Sequence, residues 1–182
     1  TNYVMIDLGR PLHAYDADKV LGDKLTVRFA REGEQVLALN EKAYDCGPGM
    51  LVICDADGPD DLAGIMGGER TGVSETTTRM FLEMAIFDST NVAATGRQLN
   101  IHSDARYRFE RGLDATSPVQ MAGYIARLVQ SVCGGRFSKL VVNGAANVQP
   151  EIVTFPPART KALTGIACSD DRQEKILTDL GF

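Results

Sequence analysis

The stretch from Leu62 to Phe87, LAGIMGGERTGVSETTTRMFLEMAIF, limits the fold more than any other part of the 182-residue chain. It joins a glycine-rich turn to an apolar run that carries a single acid. Gly64, Gly67, Gly68 and Gly72 allow the backbone to come close to a neighbour or a ligand, since no Cβ stands in the way. The FLEMAIF run sets Glu83 among Phe81, Leu82, Ala85, Ile86 and Phe87, and a carboxylate buried there needs a partner. Two readings stay open on these residues alone. One is a pocket with an acceptor in its wall; the other is a set of shaped turns before a strand whose Glu83 faces solvent.

Two motifs near this stretch fail on their own chemistry. Asp55, Asp57 and the acids that follow begin like a calcium loop, but the twelfth position is Met66 where a bidentate glutamate is needed, and Pro59 breaks the spacing. A solvated turn over Asp55 to Asp61 is expected instead. From Gly64, four residues lead on to Gly68 and then through Glu69 and Arg70 to Thr71, not to the Gly-Lys-Ser/Thr of a phosphate loop. Four widely spaced cysteines, Cys46, Cys54, Cys133 and Cys168, form no Cys-x-x-Cys pair, so zinc is not expected and the thiols read as reduced core groups of a cytoplasmic protein. With 24 acidic and 19 basic residues the net charge is −5, which argues against broad adhesion to nucleic acid while leaving room for local contact with an RNA end. No apolar run is long enough to span a bilayer.

The rest of the chain predicts an α+β fold of mostly antiparallel sheets with a few packed helices. Thr1 to Gly9 fits a strand or a short helix. Leu25 to Ala30, Gln35 to Leu39 and Met50 to Cys54 read as strands, with a hairpin tip at Asn40 to Lys42. Asp88 and Ser89 are candidate caps for a helix through Thr95, with Gly96 just beyond it. The alternation of Arg106, Arg108 and Glu110 with Tyr107, Phe109 and Arg111 suits a strand that either stacks on single-stranded RNA or forms an internal ion-pair ladder. Ser117, Pro118 and Gln120 mark a helix start whose apolar face runs through Ala122, Ile125, Leu128, Val129 and Val132. Phe137 to Asn143 reads as one more strand. From Pro150 the pattern changes to a short strand at Ile152 to Phe155, a helix from Pro156-Pro157 to about Leu163, and a helix over Asp170 to Leu180. The expected division is therefore 1–149 and 150–182, with the second part too poor in apolar surface to form a core alone and the chain reading as a piece of something longer. His13, in RPLHAYD, is either a satisfied structural group or a neutral base, its ordinary pKa being about 6.5.

Taken together and in order, TNYVMIDLGRPLHAYDADK, LAGIMGGE, FLEMAIF and ARYRFERGLD resemble the central region of the phenylalanyl-tRNA synthetase beta-subunit family. The resemblance runs from Thr1 to about Asn147, and the tail is similar to the start of that family's next module. It implies a tRNA-editing domain that hydrolyses tyrosine mischarged onto tRNA(Phe). It implies that His13 stands beside the scissile ester and that Thr1 and Asn2 line the same cleft. Gly67 and Glu83 would recognise the tyrosine hydroxyl, and Ser103 and Ala105 would shape the pocket wall. Family members commonly carry Phe at Tyr15, Ser at Met84, Thr at Ser103 and Ser at Arg106. The implied partners are the acceptor end of tRNA(Phe), the tyrosine moiety and the alpha subunit of a heterotetramer. ATP and magnesium belong to aminoacylation by the intact enzyme, and no cofactor is implied for this stretch.

The chemistry of such a pocket is demanding. An apolar slot discriminates poorly against one added hydroxyl, whereas a site built to hydrogen-bond that hydroxyl rejects the analogue lacking it by roughly 10⁴ or more. Two routes to hydrolysis stay open: His13 orients or deprotonates water, or the terminal ribose hydroxyl of the tRNA assists while His13 positions the ester. A non-catalytic RNA-binding or subunit-assembly module is the competing reading, resting on the ARYRFERG segment and the short tail.

Overall fold

The computed structural model describes residues 1–144 and 152–182. Two compact units divide the chain, Thr1–Asn147 and Val148–Phe182. The first is an α+β unit built from antiparallel sheets. It opens with a helix, α1 (Asn2–Leu8), which ends at Gly9 in the left-handed conformation and so resolves the ambiguity of TNYVMIDLG in favour of helix. Six strands follow: β1 (His13–Asp16), β2 (Thr26–Phe29), β3 (Glu34–Leu37), β4 (Ala43–Cys46), β5 (Leu51–Cys54) and β6 (Pro59–Leu62). After the glycine-rich turn come β7 (Met80–Glu83), α2 (Ser89–Gln98), α3 (Asp104–Phe109) and α4 (Ser117–Cys133).

Pairing follows the apolar pattern. The uninterrupted apolar strand β5 lies between β2 and β6, with both pairings antiparallel. β3 and β4 form the expected hairpin, Val36 opposite Tyr44, around a tip at which Glu41 takes a positive φ. β1 pairs with β7, which lies far along the chain, and this is the sheet that builds the site. The main core gathers Val36, Ala38, Val52, Leu62, Ile65, Val92, Ile101 and Phe109. A smaller cluster joins Tyr15, Val20, Ile53 and Ala63, and Phe87 packs against both.

Five local expectations are corrected. Asp60 and Asp61 do not sit in a solvated turn; they are buried in β6, where Asp61 stands opposite Ile53. The ARYRFERG segment is not a strand. Ser103 accepts from the Arg106 N–H at 3.0 Å and starts α3, and the charges alternate only because Arg106, Phe109 and Glu110 also satisfy the three- and four-residue spacing of a helix. Arg106 is buried and pairs with Glu110 at 3.0 Å, while the Arg111 guanidinium lies 3.6 Å from the exposed Tyr107 ring centre. The segment thus carries an internal ion pair and a cation–π contact on a helix. Gly96 does not end α2 but lies inside it, where a Cβ would meet Arg106 Nε at 2.2 Å. Ser117 is the first residue of α4 and not its cap; its hydroxyl donates to the Asp114 carbonyl at 2.6 Å, and Thr116 precedes the helix. Phe137 to Asn143 and Ile152 to Phe155 form no strand.

The second unit holds α5 (Ala158–Thr164) and α6 (Asp170–Asp179), the latter capped by Ser169 accepting from Arg172 N–H. Thr160 Oγ1 donates to Gln173 Oε1 at 2.5 Å and joins the two helices. Among the described residues no helix is long and apolar enough to cross a membrane. Of the cysteines, Cys46 and Cys54 are buried, Cys168 is half-buried, and Cys133 is exposed and so is not the core thiol expected.

Candidate active site

The register of β1 with β7 decides the site. His13 stands directly opposite Glu83, and Tyr15 opposite Phe81. Because side chains alternate along a strand, these four project from one face of the ribbon. The His13 and Tyr15 rings meet edge to face at 4.4 Å, and the Tyr15 ring lies 5.9 Å from Phe81. Residues more than sixty positions apart in sequence thus share one wall.

Across from that face, the chain leaving β6 passes so close that side chains are excluded. A Cβ on Gly67 would lie 2.2 Å from His13 Cε1, and one on Gly68 would lie 2.0 Å from the Asp60 carbonyl oxygen. The glycines are there for close approach, to an imidazole in one case and to a backbone carbonyl in the other. Between the two walls is a cavity of about 80 Å³ lined by His13, Asp61, Met66, Gly67, Glu83 and Ala105, among others.

Burial sets the electrostatics. Desolvation lowers the His13 pKa, with the Asp60 carboxylate acting the other way, so the imidazole is neutral at pH 7. Its Nε2 is buried without a hydrogen-bond partner among the described residues. Asp61 Oδ2 is 3.8 Å away, beyond hydrogen-bond reach. Glu83 is only partly buried as a residue, but its carboxyl group bonds at 2.6 Å to the hydroxyl of Tyr15, which is wholly buried. Desolvation pushes the Glu83 carboxyl up to about 7, opposed by the bond from Tyr15 and reinforced by Asp61. Burial raises Asp61 as well, against its bonds from Tyr15 and from Gly68 N–H. Arg70 lies outside the cavity wall and joins Asp55 at 2.9 Å and Asp60 at 3.2 Å.

Residues 1–134 match the B3/4 domain family. The chain belongs to that family. Along its full length it is 48% identical to the phenylalanine–tRNA ligase beta subunit of Bartonella henselae, covering 22% of that protein. It is 47% identical to the beta subunit of Brucella abortus, again over all of this chain and 22% of the relative. The figure for Rhodospirillum rubrum is 48%, over 23% of the relative. The chain thus spans less than a quarter of the length of these curated relatives.

Within this B3/4 domain, four of the seven residues singled out from sequence come together: His13, Gly67, Glu83 and Ala105 all line the cavity. Ser103 stands one layer behind, its hydroxyl donating to the Ile65 carbonyl at 2.6 Å while capping α3; it fixes Ala105 and Phe109 against the glycine turn. Thr1 and Asn2, both exposed, lie at the start of α1 and do not line the cavity. Sequence reasoning missed Asp61, which it placed in a solvated turn. The available signal was the pair Asp60-Asp61 running straight into the apolar Leu62-Ala63, which is where a strand rather than a turn would place them.

The raised carboxyls have a consequence for stability. The folded chain holds a proton on Glu83 between the unfolded carboxylate pKa, about 4.3, and about 7. Through that window the folded state binds more protons than the unfolded one, so stability falls as pH rises. Glu83→Gln, which does not ionise, escapes this loss. Its melting temperature relative to the parent chain should therefore climb between about pH 5 and pH 8, by an amount equivalent to on the order of 2 kcal/mol. A gap that does not change with pH would show that Glu83 titrates alike in both states.

Proposed function

We propose that this B3/4 domain is the editing hydrolase of a phenylalanine–tRNA ligase beta subunit, cleaving the ester of tyrosine mischarged onto tRNA(Phe). The observation that carries the reading is the cross-strand pair of His13 and Glu83, which gives one small cavity both a neutral imidazole with a free ring nitrogen and a buried carboxyl. A tyrosine side chain entering the cavity sets its hydroxyl against Glu83, with the Gly67 N–H as the available donor, since the Gly68 N–H is committed to Asp61 at 2.6 Å. Phenylalanine would leave these groups unpaired, at a cost of about 1–3 kcal/mol for each neutral group and more for a charge. The ester then lies on the His13 side.

Catalysis on this reading is mostly placement. An aminoacyl ester is already labile, and holding a water against it supplies much of the rate. Neutral His13 orients that water through Nε2 and accepts its proton. Thr1 and Asn2 would approach the tRNA end of the substrate, and Ser103 and Ala105 would hold the pocket wall. In the complete ligase the alpha subunit, ATP and magnesium would serve aminoacylation, and the acceptor end of tRNA(Phe) would deliver the ester in the cytoplasm. Deacylation of Tyr-tRNA(Phe) by His13→Ala tests the assignment: a loss of about 10²–10⁴-fold is expected for a positioned acid–base group. Unchanged activity would remove His13 from the reaction and leave the tRNA's own ribose hydroxyl as the assisting group.

A further inference from the structure

The Tyr15 hydroxyl touches two carboxyl groups at once. It bonds Asp61 Oδ2, and it bonds Glu83 Oε2 at 2.6 Å. A phenol has one proton to give. If both acids were ionised, one of these contacts would press a lone pair of the phenol oxygen against a carboxylate oxygen with no hydrogen between them, in a site where Tyr15 is wholly buried. Both contacts are satisfied only when one acid is itself protonated and donates to the phenol oxygen.

Geometry also says which acid. Asp61 Oδ1 accepts the Gly68 N–H at 2.6 Å, so Asp61 has two donors pointed at it, one on each oxygen. Such bonds favour the ionised form. Glu83 has no second donor among the described residues. The groups surrounding the pair are His13 and Tyr15 on β1, Asp60 on β6, and Arg70 beyond the glycine turn. His13 is neutral, and Arg70, paired with Asp55 and Asp60, favours the ionised form of Asp61 while giving Glu83 no such help.

We propose that Asp61 and Tyr15 are positioning residues for Glu83: the chain Asp61–Tyr15–Glu83 holds one proton beyond the phenol's own, with Asp61 as the carboxylate and Glu83 as the acid. Glu83 then donates through Oε2 to Tyr15, which fixes its plane and leaves Oε1 as a neutral acceptor. Burial raises both carboxyl groups above their ordinary range, in keeping with this arrangement. The inference rests on the editing reading for its bearing on substrate choice, since that reading makes Glu83 the hydroxyl-recognising group. The shared proton itself does not depend on any activity.

The test uses two nearly isosteric variants of this chain and reads the Glu83 carboxyl by carbon-detected NMR across a pH titration, with melting temperatures to confirm folding. Asp61→Asn removes the competing charge and frees the Tyr15 proton for Glu83, so the Glu83 titration moves down by about one pH unit or more. Tyr15→Phe keeps the ring and removes the bridge, so the pair of titrations seen in the parent chain is no longer reproduced. In the parent chain at about pH 6 the Glu83 carboxyl carbon should read as the neutral acid and the Asp61 carbon as the carboxylate, and each variant should move the Glu83 titration; both carbons ionised there, Asp61 as the acid, or no movement in either variant overturns the shared proton. In parallel, the pH profile of Tyr-tRNA(Phe) over Phe-tRNA(Phe) hydrolysis is measured for the three proteins, and its inflection should follow the NMR titration. If the carboxyl carbons read as proposed but the parent chain prefers neither ester, the editing reading fails and the proton chain stands. If the parent chain prefers tyrosine but the inflection ignores both variants, the positioning role is refuted.

Discussion

Glu83→Ala is expected to abolish the preference for tyrosyl over phenylalanyl esters of tRNA(Phe), lowering the ratio of the two kcat/KM values by about 10²-fold or more. The size of the effect follows from what the carboxyl does. On the proposed reading it is the acceptor on the cavity wall that lies opposite His13, so its removal leaves a tyrosine hydroxyl unpaired and relieves the penalty that phenylalanine meets there. The fall in the ratio should therefore combine a slower tyrosyl rate with a faster phenylalanyl rate. Truncation also withdraws one partner of the Tyr15 hydroxyl, but Tyr15 still bonds Asp61, so the β1–β7 ribbon persists. Deacylation of both esters, measured side by side, gives the ratio directly. A ratio that survives would move recognition of the hydroxyl to another group.

Gly67→Ala is the second large effect. The added methyl would sit 2.2 Å from His13 Cε1, 2.9 Å from Nε2 and 3.0 Å from Nδ1. The imidazole has little room to retreat, since the Tyr15 ring meets it edge to face at 4.4 Å. Overpacking of this kind costs about 1–3 kcal/mol, and displacing His13 should lower tyrosyl-ester hydrolysis by about 10²-fold or more. A double mutant separates steric from conformational causes. In a His13→Ala background the methyl has space, so Gly67→Ala should then cost little in melting temperature. An equal cost in both backgrounds would mean that the glycine is needed for some reason other than His13.

How much of this was legible before the structure depends on the kind of interaction. Strands β2, β3 and β5 follow from apolar runs bounded by turns, and α6 from its spacing. The glycine turn could be recognised as a place of close approach, and Glu83 as an acid in apolar company, but nothing in the sequence said what came close. That depends on β1 pairing with β7 across more than sixty residues, and on a register which sets His13 opposite Glu83. The pairing sets these two residues in one cavity wall. Asp61 was misplaced for a related reason, although its run into Leu62-Ala63 hinted at a strand. A run of aspartates beside glycine and proline has the composition of a turn, and its burial is decided by β6 pairing with β5 and by the Tyr15 hydroxyl and Gly68 N–H that satisfy it. The misread α3 shows the limit of counting periods over six residues: alternation and helical spacing coincide there, and the Ser103 cap breaks the tie.

Tyr15 links these points. It places a hydroxyl between two acids, both close enough to use it. A phenylalanine in the same place would fill the same volume and bridge nothing.

The most direct measurement of the central claim is a crystal structure of the chain soaked with tyrosine and, separately, with phenylalanine. The expected result is tyrosine in the cavity between His13 and Gly67, its hydroxyl within hydrogen-bond distance of Glu83, with phenylalanine absent at the same concentration. Tyrosine bound elsewhere, or both amino acids seated alike with no contact to Glu83, would contradict the account.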